Sequence, residues 1–227
     1  MIPGAWLQAS SWDEVVPYVA AAGHTAHPVT LPGLESADAP RAGLTLQAAV
    51  DAVRELLQQV PGPVALVAHS AASTVANAVV DADPDSVERV VYVDTFPVPE
   101  RGPSEPEFPA VGDGVPLPDW SVFEDGELKD LTEQQLERLR EVAVPVPVGY
   151  MSSAIELHDE RRHAVPPTLI CTAFPASEYA RLTGEGHAWM SELAKFADVT
   201  YVDLETGHWP QFTKPRELGE AIVAALA

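Results

Sequence analysis

Val64-Ala65-Leu66-Val67-Ala68-His69-Ser70-Ala71-Ala72 is the stretch that decides how the chain is read. Small and apolar residues run into His-Ser and then into a helix-prone segment from Ala71 to Val80. The order is buried strand, sharp turn, helix, with a serine at the tip. Gly-x-Ser-x-Gly is the pattern of a strained turn, the nucleophile elbow, that holds a serine Oγ clear of a sheet. Here alanine stands at both glycine places, Ala68 and Ala72. Glycine lets strand and helix pass closely beside the turn. Alanine is the next smallest residue, so the turn stays feasible but tighter. The alternative is an ordinary strand–helix loop with a helix-capping serine.

Working upstream, Pro61-Gly62-Pro63 separates this strand from a helix predicted over about 45–59. Its Leu46, Ala49, Val50, Val53, Leu56, Leu57 and Val60 fall at helical spacing. Earlier still, Ser10-Ser11 offers an N-cap to a helix from Trp12 to about Ala22, closed by Gly23, with Pro17 able to bend it. His24 to Leu31 is a short strand candidate. Met1-Ile2-Pro3-Gly4-Ala5-Trp6 leaves two residues before a Pro-Gly turn. A normal strand has about five or six. The first strand is therefore expected to be truncated, the chain to start several residues late, and Ala5 to be poorly held.

Downstream, a helix over 71–82 is followed by a strand from Val87 to Val93 that ends at Asp94. The next stretch, 96–119, holds many of the 22 prolines and reads as irregular chain or pocket lining. Helices are predicted from Thr132, as N-cap, to Val142 and over 149–163. Residues 96–165 thus interrupt the strand–helix alternation and are read as a cap insertion within a single domain, 1–227. Pro167 to Ala173 is a buried strand, 186–197 a helix, and Val199 to Val202 the last strand. Gly207-His208-Trp209-Pro210 leads into a terminal helix over about 215–226, with Pro215 suited to its first turn.

Alternating strands and helices imply a mainly parallel sheet with helices on both faces. In such sheets reactive groups gather beyond the carboxyl ends of strands. Ser70, Asp94 and His208 each follow a predicted strand, in the chain order Ser, Asp, His.

Composition narrows the partners. The chain carries 34 acidic against 13 basic residues among 227, a net charge of −21. Binding phosphates needs clustered Lys and Arg, so nucleic acid and anionic membranes are disfavoured. A hydrophobic share of 46% is ordinary for a globular chain and no run is long enough to span a bilayer. Without a signal-peptide pattern, cytoplasm is the default. The single cysteine, Cys171, allows no internal disulfide and no cysteine metal cluster, and its apolar run reads as a buried thiol. The histidines show no metal spacing.

Pro3-Gly4-Ala5-Trp6, Leu31-Pro32-Gly33, Ala68-His69-Ser70, Val91-Tyr92-Val93-Asp94 and Gly207-His208-Trp209-Pro210 together resemble the α/β-hydrolase-fold serine hydrolases. The likeness is to the small esterase group that begins with a Pro-Gly-Ala-Trp or His-Gly-Ala-Trp loop. It implies a cofactor-free hydrolase acting on a small-molecule ester, thioester or lactone through an acyl-serine. Ser70 would be nucleophile, His208 base, and the backbone N–H groups of Ala5 and Ala71 the oxyanion hole. The family's common acid follows the next-to-last strand, where this chain has no acid before Glu178. Asp94 is preferred over Glu178, Asp203 and Glu205. His69 is read as packing at the turn. Trp6, Trp120, Phe123, Tyr150, Met151 and Trp209 are candidates for an apolar substrate pocket. Two other readings stand: a lyase or cyclase using the same triad as a proton relay, and a non-catalytic small-molecule binder. A dehalogenase is disfavoured, since its nucleophile would be an aspartate at position 70.

Overall fold

The computed structural model describes all 227 residues. Chain order begins with a 3₁₀ turn, Ala9–Trp12, then α1 (Val16–Ala21) and α2 (Leu46–Leu57). Strand β1 (Ala65–His69) leads into α3 (Ala72–Ala82), and β2 (Arg89–Val93) follows. The intervening region holds the two-residue strands β3 (Gly114–Val115) and β4 (Val146–Pro147), with α4 (Glu133–Val142) and α5 (Val148–Ser152). Then come β5 (Pro167–Cys171), α6 (Ala176–Gly184), β6 (Thr200–Asp203), α7 (Pro210–Thr213) and α8 (Pro215–Leu226).

Four parallel strands form the main sheet in the order β1-β2-β5-β6. Parallel strands must be covered on both faces, and their near-continuous apolar runs reflect that. Side chains alternate between the faces. Val67, Val91, Val93 and Ile170 pack on one side with Trp12, Val15 and Val19 and with Leu218 and Ile222 of α8. Leu66, Ala68, Val90, Tyr92, Leu169 and Cys171 point to the other, against α2, α3 and the 96–165 region. Each fully buried Val, Leu or Ile contributes about 1.5–3 kcal/mol relative to exposure. No helix is long and apolar enough to cross a membrane.

Helix α3 is buried nearly all round, from Ala72 through Asp81, because the sheet lies under it and residues 96–165 lie over it. Its polar side chains are engaged accordingly. Asn77 Nδ2 donates to the Val98 carbonyl at 2.9 Å, and Asp81 accepts the N–H groups of His158 and Asp159. Arg162, which is 1% exposed, bridges Asp81 and Glu192 at 3.2 and 2.7 Å.

Local departures from the sequence expectations have identifiable causes. The helix expected from Trp12 starts at Val16, because Pro17 has no N–H to continue a ladder from upstream and fits only a first turn. His24–Leu31 is extended but forms no strand. Pro28 removes a donor, and the partner segment is only Met1-Ile2, with Val29 N–H on Met1 O and the Met1 amine on His27 O. The helix over 149–163 ends at Ser152. Beyond it Ile155 pairs with Arg101, and the N–H groups of Leu157, His158 and Asp159 are taken by Glu100 and Asp81. Residues 186–197 make two short 3₁₀ turns, while the helix sits earlier, at α6, where Asp203 accepts the Ala176 N–H at 2.7 Å. The Thr132 cap is present as a full capping box with Gln135.

At the N-terminus, Ile2 makes one parallel bridge to Ala68, donating to Val67 O at 2.7 Å and accepting from His69 N–H at 3.1 Å. Ala5 is nevertheless fixed on both sides, contrary to the expectation from the short lead-in. Trp6 beyond it donates Nε1–H to Val115 O at 3.0 Å and accepts from Val144 N–H at 2.9 Å.

Candidate active site

Ser70 has φ +53°, the left-handed region that a non-glycine residue enters at a cost of about 1–2 kcal/mol. Two hydrogen bonds hold it there: its N–H on Val93 O at 3.1 Å, and its carbonyl under Ser73 N–H at 3.0 Å. The turn closes with alanine at both glycine places. Ala68 is fully buried and Ala72 nearly so.

Asp94 directly follows β2, the strand paired in register with β1, and also has positive φ, +47°. Its Oδ1 accepts the N–H groups of Thr172 and Ala173 at 3.1 and 3.0 Å, just past the end of β5. Its Oδ2 lies 2.6 Å from His208 Nδ1. Burial alone would raise this carboxyl. The hydrogen bond and charge of His208 and the Thr172 N–H outweigh it and hold Asp94 below the usual carboxylate range. An ionised carboxylate only accepts, so His208 carries its proton on Nδ1 and presents a bare Nε2. That nitrogen lies 2.8 Å from Ser70 Oγ, whose O–H donates to it. The other acids weighed for this place are engaged elsewhere: Glu178 with Arg181, Glu205 with Lys129, Asp203 with the α6 N-terminus.

The loop bearing His208 depends on its preceding glycine. A Cβ on Gly207 would collide with the carbonyls of Glu127 and Lys129. That close approach lets His208 N–H donate to Glu127 O at 2.7 Å. Segment 124–131 thus props the loop from outside.

Neither the Ala5 N–H nor the Ala71 N–H has an acceptor within the protein. Both residues, with Ser70 and Asp94, line a cavity of about 800 Å³, within the range of small-molecule sites. Its apolar wall includes Leu31, Leu34, Phe96, Val98, Ile155 and Trp189. Tyr150 and Met151 also line it. The mouth carries Glu100, Glu105 and Glu107 against one cation, Arg101, whose guanidinium is already bound to the Met151 carbonyl and Ser104.

Trp6, Trp120, Phe123 and Trp209 do not line this cavity, which corrects the sequence assignment. They pack on one another, with ring centroids 5.2 Å apart for Phe123–Trp209, 5.8 Å for Trp120–Trp209 and 6.2 Å for Trp6–Phe123. Edge-to-face packing satisfies aromatic rings as well as a pocket wall would. The cluster backs the two loops that carry Ala5 and His208, and the Trp209 ring stands edge-on to His208 at 4.9 Å. Phe96 and Val98, absent from the sequence candidates, follow Asp94 immediately, and that adjacency was the available signal. Trp189 carried none, since its segment is 95 residues further along (189 − 94). No group of three or more His, Cys, Asp or Glu residues is placed to hold a metal ion.

The sequence model of the Alpha/beta hydrolase family matches residues 1–221. A search of curated proteins finds no sequence match. Among solved structures, an extracellular alpha/beta-hydrolase from a Paenibacillus species is 22% identical, with a TM-score of 0.77, covering 98% of this chain and 96% of its own. A methylesterase from Arabidopsis is 17% identical, with a TM-score of 0.71 and coverage of 100% and 96%. Tomato methylketone synthase I is 13% identical, with a TM-score of 0.70 and coverage of 99% and 94%. At these identities the likeness establishes the fold.

Proposed function

The chain belongs to the alpha/beta hydrolase family, and from that premise we propose that it is a serine hydrolase cleaving a small-molecule ester, thioester or lactone, with Ser70, His208 and Asp94 as its triad. The observation that carries this reading is the continuous relay from Ser70 Oγ to His208 Nε2 at 2.8 Å and from His208 Nδ1 to Asp94 Oδ2 at 2.6 Å. A serine hydroxyl is a poor nucleophile until a base takes its proton.

In the proposed cycle Ser70 Oγ attacks the substrate carbonyl carbon while its proton passes to His208 Nε2. The carbonyl π electrons move onto oxygen, and the Ala5 and Ala71 N–H groups receive that charge. Asp94 stabilises the imidazolium and keeps its orientation. Collapse of the tetrahedral adduct expels the alcohol or thiol, which takes the proton from His208 and leaves an acyl-Ser70 ester. Water, deprotonated by the same nitrogen, attacks this ester; the second adduct breaks the bond to Ser70 Oγ, which takes the proton back from His208 Nε2 as the acid is released. Each oxyanion donor is worth roughly 10²–10³ in rate. No cofactor is needed.

The cavity supports an apolar substrate without a negative charge, since its mouth is acidic and its one cation is already bound. Residues 96–165, which supply Phe96, Val98, Tyr150 and Met151 to the wall, act as the cap over it. Fluorophosphonate labelling tests the reading. Wild-type protein is expected to be labelled and to hydrolyse p-nitrophenyl esters, and Ser70→Ala to do neither. A folded wild type that takes no label would sink it. Labelling without turnover of any ester would favour a lyase using the same groups.

A further inference from the structure

His69 is 1% exposed, and its place in the site is more specific than packing at a turn. Its Nε2 lies 2.7 Å from the main-chain carbonyl of His208. A carbonyl only accepts, so Nε2 carries the proton and donates it. Nδ1 is then a bare lone pair, and it is buried with no partner. The two imidazole rings face each other at 4.9 Å and a 42° tilt. His69 also touches the third part of the site. A Cβ built on Gly4 would sit 2.6 Å from His69 Nδ1, so the backbone that leads into Ala5 runs directly over this ring.

A buried nitrogen without a partner costs stability. A side chain that only filled space would do so better as phenylalanine or leucine, and would leave no bare Nδ1. What an apolar residue cannot supply is the donor to the His208 carbonyl. That carbonyl belongs to the residue whose imidazole must reach Ser70 on one side and Asp94 on the other, so fixing it limits where the ring can go. Burial first, and the neighbouring His208 second, push His69 down to about 3. The ring is therefore neutral near pH 7, with its one proton on Nε2.

We propose that His69 is the positioning residue of this site: its Nε2–H pins the His208 main-chain carbonyl and so holds the imidazole in line between Ser70 and Asp94. This rests on the triad reading given above, but the geometry it controls is measurable without turnover. His69 does not touch the substrate. It acts through His208, and its ring sets how closely the Pro3-Gly4-Ala5 backbone passes the serine turn.

The experiment compares wild type with His69→Phe and His69→Gln. Phenylalanine keeps the ring volume and removes the donor; glutamine returns an N–H at similar reach. The first readout is the far-downfield proton resonance of the His208 Nδ1–H bonded to Asp94, identified by its loss in His208→Ala. Its presence requires no catalytic activity. It is expected to broaden or vanish in His69→Phe and to return in His69→Gln. The second readout is esterase kinetics. Misplacing a catalytic group by about 1 Å costs on the order of 10²-fold. His69→Phe is therefore expected to lose roughly 10- to 100-fold in kcat with KM within about 2-fold, and His69→Gln to recover most of it. Thermal midpoints for both variants separate this from unfolding. A His69→Phe protein that folds and retains the wild-type resonance overturns the proposal, as does a full-strength kcat. Failure of the triad reading looks different: hydrolysis that survives Ser70→Ala.

Discussion

Replacing Asp94 by asparagine changes one oxygen to nitrogen and, on this geometry, reverses the direction of the whole relay. Asp94 Oδ1 accepts two backbone N–H groups, from Thr172 and Ala173. An asparagine must keep its one carbonyl oxygen there, because an NH2 turned toward two backbone N–H groups would bring only donors together, with no acceptor. Its NH2 then faces His208 Nδ1, which has to become the acceptor. The imidazole proton moves to Nε2, opposite Ser70 Oγ, and the base is gone. A wrong-tautomer histidine costs about 10⁴-fold in serine proteases, equivalent to about 5.5 kcal/mol of barrier. Asp94→Asn is expected to lose about that factor in kcat and in the fluorophosphonate labelling rate, with KM little changed. Asp94→Ala leaves the tautomer free and should be no worse. Glu178→Gln, Asp203→Asn and Glu205→Gln should stay within about 2-fold of wild type, since surface charges of this kind contribute little. The assay is ester hydrolysis on variants shown to be folded by near-ultraviolet circular dichroism. An Asp94→Asn protein within about 10-fold of wild type, or a larger loss in Asp94→Ala, would refute the reasoning.

Burial raises the Cys171 thiol to about 12, so the thiolate at pH 9 is on the order of 10⁻³ of the total. Native protein should resist iodoacetamide at pH 9 and react fully in urea, and rapid native alkylation would contradict the burial. Glu192→Ala leaves Arg162, itself 1% exposed, without its 2.7 Å partner. Removing one member of such a pair costs about 3–5 kcal/mol. At about 2–4 °C per kcal/mol for a chain of this size, the thermal midpoint should fall by roughly 6–20 °C; a shift under about 2 °C would show that Asp81 and water compensate. Met151→Trp narrows the cavity wall, so kcat/KM for a p-nitrophenyl octanoate should fall roughly 10-fold relative to the acetate. Equal effects on both esters would place the acyl chain elsewhere.

Much of the site is legible in the sequence because strand ends are. Val64–Ala68 and Val90–Val93 are apolar runs cut off by a polar residue, and that residue is Ser70 or Asp94 within two positions. A parallel sheet brings all such ends to one edge, so chain order alone places the two together and calls for a histidine after the last strand. The helices at α2, α4 and α8 are legible from local signals too: helical apolar spacing in α2, the Thr132 cap of α4 and Pro215 in the first turn of α8. Short 3₁₀ turns near 188–195 and the break at Ser152 are not. Past Ser152 the backbone is satisfied by partners distant in the chain, of which local periodicity carries no record; the turns near 188–195 close on single local bonds, Met190 N–H on His187 O and Lys195 N–H on Glu192 O, too short to show a helical period.

Determined by the sequence alone, then, are the α/β order, the serine at the tip of its turn and the candidates for its base and acid. The pattern of apolar residues is a local property of the chain and is present before it folds. Tertiary structure alone decided three other things. It put Asp94, which the sequence only preferred, 2.6 Å from His208 Nδ1, and held Glu178, Asp203 and Glu205 elsewhere. It moved Trp6, Trp120, Phe123 and Trp209 from the cavity to a buttress behind it. It also turned His69 from a neighbour of the serine into a donor to His208, 139 residues away. These are matters of which side chain reaches which atom across the chain. Such contacts are fixed by packing at ångström scale, and the serine turn, with alanines where glycines were expected, owes its shape to the same packing.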